Sequence, residues 1–98
     1  MRAGTTEWIA EREFEATGAR KVIARIGRPT HTATGEWSAA VEISGVGKIE
    51  AGEAFGEDSM QALLLAASML RAQLASIQQE HQLTWLTDVD LGIHLEPR

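Results

Sequence analysis

Between residues 7 and 55 apolar and polar positions alternate with the two-residue period of β-strands, and from about Ser59 to Glu80 the spacing becomes that of an amphipathic helix. Glu7 to Ala16 places Trp8, Ala10 and Phe14 on one face and Glu7, Glu11, Glu13 and Glu15 on the other. Arg12 on the apolar face and Ile9 on the acidic face are misfits that predict a bulge or an edge position. Thr17 to Arg20 supplies a turn, with Gly18 where a positive φ is expected. Lys21 to Arg28 reads as a second strand with Val22, Ala24 and Ile26 inward, ended by Gly27 and Pro29. Arg28 to Gly35 is the most turn-rich stretch and is expected to be a mobile loop.

The cleanest alternation follows, with Trp37, Ala39, Val41 and Ile43 inward. A tight Gly45–Lys48 turn leads to a fourth strand, Ile49 to Phe55, where Ile49, Ala51 and Phe55 are expected to face the core. Short connections make these four strands an antiparallel meander. Asp58 and Gln61 have the spacing of a capping box and start the helix. Met60, Leu63, Leu64, Ala67, Leu70, Leu74 and Ile77 form the stripe expected to lie on the sheet, and Leu65, Met69, Ala72 and Ser76 form a weaker second stripe. The tail, Leu83 to Leu95, is expected to fold back as a fifth strand or extended segment onto the sheet edge or the second stripe. The fold class is α+β: an antiparallel sheet of four to five strands packed against one long C-terminal helix.

At 98 residues the chain has the size of one domain, residues 1–98, with flexible ends expected at 1–6 and 96–98. It has no cysteine, which excludes disulfides, thiolate chemistry and Cys-ligated metals and fits a reducing compartment. The first residues lack the apolar stretch of a signal peptide, and the longest apolar run, Ala62 to Ala67, is far short of the ~20 residues that a membrane helix needs. A cytoplasmic protein with no membrane contact is expected.

Charge is uneven: residues 1–30 carry +2 and residues 31–98 carry −7, for a net −5. An acidic chain repels phosphate backbones, so nucleic acid is a disfavoured partner unless Arg2, Arg12, Arg20, Lys21, Arg25 and Arg28 gather on one patch. The meander works against that. One register of the first hairpin sets Glu15 opposite Lys21 and Glu11 opposite Arg25, and the next sets Glu13 opposite Arg25.

No stretch carries catalytic chemistry. Asp88-x-Asp90 lacks the remaining ligands of a calcium loop and reads as a polar turn. His31, His81 and His94 are too scattered for a zinc site, and none of the serines lies in a hydrolase motif. Neither a cofactor nor a metal is expected. Two surfaces remain: an interaction surface at Leu65, Met69, Ala72 and Trp85, and a pocket between sheet and tail around Arg12, Trp37 and Trp85.

Two resemblances add to this reading. The segments Ile9–Glu13, Arg25–Pro29, Trp37 with Val41–Gly45, Gly56–Leu63 and Leu83–Leu86 together resemble a family of small bacterial proteins of unknown function, over nearly the whole chain. Gly56 to Leu70 is similar to the core of the HicB-like antitoxins, although only a short tail follows the helix where such antitoxins often carry a DNA-binding segment. The first brings no activity with it; the apolar arc of the helix, wider than one sheet face needs, is what points to a non-enzymatic interaction module, expected as a homodimer or bound to a protein partner through the sheet edge or the spare stripe, with an antitoxin-like or immunity-like role as one instance. The alternative is a small-ligand binder or enzyme using the sheet–tail pocket.

Overall fold

The computed structural model describes residues 6–94; the expectation of flexible ends falls, Thr6 apart, outside them. The elements in order are β1 (Trp8–Ala16), β2 (Arg20–Gly27), β3 (Thr30–His31), β4 (Trp37–Ser44), β5 (Glu50–Gly56) and α1 (Ser59–His81). All strand pairs are antiparallel. β1 pairs β2, β2 and the short β3 share one edge of β4, and β5 takes its other edge. This is the expected α+β meander with a C-terminal helix. The turn-rich stretch is more ordered than a mobile loop, because Thr30 and His31 pair with Ser38 and Trp37.

The misfits in β1 find their explanation here. The strand is at the sheet edge, and its register slips between Trp8 and Ala10, which leaves Ile9 48% exposed. Beyond the slip, Glu11 faces Arg25 and Glu15 faces Lys21. Gly18 turns the chain at φ 79°.

The outer face of the sheet is laced by ion pairs: Lys21 with Glu15 at 3.2 Å, Arg25 with Glu11 at 3.1 Å and Glu42 at 3.6 Å, and Arg28 with Glu7 at 3.3 Å. Hydrogen bonding to Glu15 and the charge of Glu13 raise the Lys21 pKa above the ordinary lysine value. Its stabilisation is therefore present below that ordinary value and lost as pH rises through the raised one, and the exposure of the pair keeps it small.

The inner face and α1 enclose one core cluster around Phe14, Val22, Val41, Ile43, Leu70, Leu74 and Leu83, each at most 3% exposed. Asp58 caps α1 by accepting the Gln61 amide at 2.7 Å, and the Gln61 side chain accepts the Glu57 amide at 2.7 Å. That is a capping box whose return arm reaches one residue further back than usual. By length and composition α1 is long and apolar enough to cross a membrane, although its uninterrupted apolar run is short. Here it forms the second layer of the core.

Two expectations about facing are overturned. In β5, Ala54 pairs with Ala39, Gly52 with Val41 and Glu50 with Ile43, so the even-numbered residues face inward. Ile49 and Phe55 are 63% and 48% exposed, and Ala51 is exposed as well. In α1 the buried residues are Ala62, Ala66, Leu70 and Leu74, whereas Met60 and Leu64 are exposed.

Both corrections have one cause. The β5 surface under the helix is built from Gly52, Ala54 and Gly56, and a Cβ on Gly56 would come within 2.5 Å of the Ala62 backbone nitrogen. Small residues let the helix approach closely, and its alanine face fits that approach. The bulkier Met60 and Leu64 are turned away.

Candidate functional site

The tail uses the inward charge of β1. After α1 ends in a left-handed Gln82, Leu83 is buried, and Thr84 exchanges two backbone hydrogen bonds with Glu15 on the β1 edge. A turn from Trp85 to Asp88 then brings Trp85 over Arg12, whose guanidinium lies 3.8 Å from the ring centroid. Arg12 Nη1 also donates to the carbonyls of Leu91 at 3.2 Å and Gly92 at 3.1 Å. Gln78 Nε2 donates to the carbonyls of Leu83 and Val89. The tail, expected as a fifth strand or an extended segment, thus meets the sheet in one bridge, Glu15 with Thr84, and a second bridge, Trp85 with Asp88, lies within its own turn.

An inward arginine is satisfied in this way by a ring face and two carbonyls. Gly92 sits at φ 81°, and a Cβ there would run into the Trp85 ring. Replacing Arg12 with methionine keeps the bulk and removes the donors. Stability is expected to fall by about 1–2 kcal/mol, with faster hydrogen exchange at the Thr84, Trp85 and Asp88 amides. Unchanged exchange at those amides would show that Arg12 does not hold the tail.

The three residues of the predicted pocket do not meet. Arg12 and Trp85 line one concavity of about 440 Å³ with Glu11, Glu15 and Lys21. Trp37 lies toward the opposite end of β4 and stacks on His31, with ring centroids 4.9 Å apart. It lines a separate hollow of about 510 Å³ with Glu7, Arg28, Ser38 and Glu53.

The predicted interaction surface is likewise divided. Leu65 is 45% exposed and Ala72 is exposed, while Met69 is partly buried and its sulfur would stand 2.8 Å from a Cβ on Gly52. These three occupy the β5 flank of α1. On the other flank Ala67 and Leu70 face a groove of about 310 Å³ that also takes in Ala10, Ile26 and Ile93. At about 100° per residue Leu65 and Ala72 point away from Ala67. Trp85 belongs to the tail clamp instead.

The sequence reading missed the outward Ile49 and Phe55, which lie on the sheet face turned away from α1, whereas Leu65 and Ala72 are exposed on the helix itself. The small-residue alternation Gly52-x-Ala54-x-Gly56 was the signal that could have revealed them.

The remaining polar candidates are engaged locally. Asp88 accepts the Asp90 amide, Asp90 accepts the Gly92 amide, and His94 lies 3.1 Å from Asp90. These contacts shape the tail turn. Thr17 donates to the His81 carbonyl at the helix end. Among the described residues no group of three or more His, Asp or Glu is placed to hold a metal.

No curated protein and no solved structure matches this chain. The family model of a domain of unknown function, DUF6968, matches residues 10–95, and the chain belongs to that family.

Proposed function

We propose that this protein is a non-enzymatic interaction module that associates with itself. The carrying observation is a strand edge, that of β5, which bonds nothing among the described residues and has exposed apolar residues in both layers near it: Ile49 just before β5 and Phe55 on its outer face, and Leu65 and Ala72 on α1. Exposed apolar positions gathered beside an open edge are the usual mark of a protein contact. The charged residues of the sheet face support the same reading against nucleic acid, since Lys21, Arg25 and Arg28 each sit beside a carboxylate. A cytoplasmic bacterial setting and an antitoxin-like or immunity-like role are instances of this function.

The pocket reading has weaker support. Arg12, its one inward cation, already bonds two tail carbonyls and stacks on Trp85. Sedimentation velocity over a wide concentration range tests the proposal. A dimer is expected, and a monomer at every concentration would overturn self-association.

A further inference from the structure

The two edges of the sheet are treated differently. The outer edge of β1 is engaged by the tail at Glu15 and Thr84. β5 bonds only β4 among the described residues, and from Glu50 to Gly56 it carries no proline, no lysine and no break in register. Such an edge is a template for another strand. We propose that two copies of this chain pair through β5, antiparallel about a two-fold axis at Gly52, so that two sheets become one with both helices on the same side. This rests on the self-association reading above and assigns its surface and register.

The register follows from the side chains. With the axis at Gly52, inner-face residues of one strand lie opposite inner-face residues of the other, as a shared core side requires. Phe55 then faces Ile49 of the second copy, and Glu53 faces Ala51. Both apolar exposures find an apolar partner. Moving the axis to Glu53 would set two glutamates opposite each other, which is unfavourable. Moving it to Ala51 would set Glu53 against Ile49 and leave Phe55 against Gly47 in the turn.

The spacing of the helices agrees. α1 packs about equally on β4 and β5 and only lightly on β2, so it lies over the boundary between those two strands. Strands are ~4.8 Å apart, which puts the axis ~2.4 Å outside β5 and the two helices about 10 Å from each other. Helices in contact pack at about 8–10 Å.

Gly52 lies beneath Met69 and Gln73, so the middle of α1 sits at the axis. Leu65 and Ala72, on the flank turned toward β5, would meet their counterparts across it. One partner thus covers the exposed flank of the helix and gives Phe55 and Ile49 an apolar neighbour alongside them on the outer face.

The chain has no cysteine, so single introduced thiols report the register cleanly. Ala51→Cys and Glu53→Cys lie on exposed positions of β5 and are expected to leave the fold intact. Directly opposite residues have Cβ atoms about 4.5–5.5 Å apart, whereas diagonal neighbours are about 7–8 Å apart. When the two variants are mixed, allowed to exchange subunits and oxidised, a disulfide-linked heterodimer is expected to exceed the self-linked dimer of either variant. Leu65→Lys, read by circular dichroism for folding and by sedimentation for assembly, is expected to weaken the dimer on the order of tenfold with the helix intact.

A dimer in sedimentation without the mixed cross-link, or with Glu53→Cys linking mainly to itself, would overturn this register while leaving self-association standing. A folded Leu65→Lys variant that dimerises as tightly as the parent would overturn the helix contact. A monomer at every concentration would remove both the register and the reading beneath it.

Discussion

Replacing Phe14 with alanine is expected to lower the unfolding free energy by about 3–5 kcal/mol, a large share of the ~5–15 kcal/mol typical of a domain. Phe14 is fully buried on the inner face of β1, opposite Val22. Its chain neighbour Glu15 makes the bridge to Thr84, and Leu83, next to that bridge, is 1% exposed. The ring therefore helps to join the outer half of the sheet to the point where helix becomes tail. Urea titration followed by circular dichroism would measure the loss. A change below about 1.5 kcal/mol, the scale of a conservative core swap, would mean that the core around Phe14 is looser than its burial implies.

Gly56→Ala is expected to cost about 1–3 kcal/mol through overpacking. The added methyl would stand 2.5 Å from the Ala62 nitrogen and 3.0 Å from the Gln61 carbonyl carbon, both backbone atoms just inside the capped start of α1. Backbone there cannot yield without lifting the helix from β5. Gly52→Ala is a milder companion, because its nearest neighbour is the Met69 sulfur at 2.8 Å, the far end of a flexible side chain. Ala51→Val, on the exposed face of the same strand, should change stability by less than about 0.5 kcal/mol. Urea midpoints for the three variants should fall in that order. A Gly56→Ala variant as stable as the parent would show that the close approach of helix and sheet is not required.

The candidate surface was only half legible before the structure. Leu65, Met69 and Ala72 were visible as a second stripe because α1 carries more apolar residues than one sheet face can cover. Ile49 and Phe55 were assigned to the core because they are the most hydrophobic residues of their strand. The hairpin register overrides that preference. A two-residue period has only two phases, and the one that sets Glu50 opposite Ile43 puts Gly52, Ala54 and Gly56 under the helix, where larger side chains would hold it off. Arg12 was noticed as a misfit in β1, yet its partners Trp85, Leu91 and Gly92 lie about eighty positions along the chain, beyond any local pattern. His31 reads as part of a loop in the sequence because a two-residue strand has no periodicity to detect.

By itself the sequence determined the order of the four longer strands and the helix, the inward faces of β2 and β4, the paired charges of the first hairpin and the start of the helix at Asp58. Each of these depends on neighbours a few residues apart or on the two sides of one turn. Tertiary structure alone decided which face of β5 and which side of α1 are buried. Gly52, Ala54 and Gly56 are weakly hydrophobic as a string, but on the inner face of β5, with Gly56 against Ala62 and Gly52 beneath Met69 and Gln73, they allow two backbones to approach. Close packing rewarded that fit over the larger apolar side chains, and it turned Ile49, Phe55, Met60 and Leu64 toward the outside.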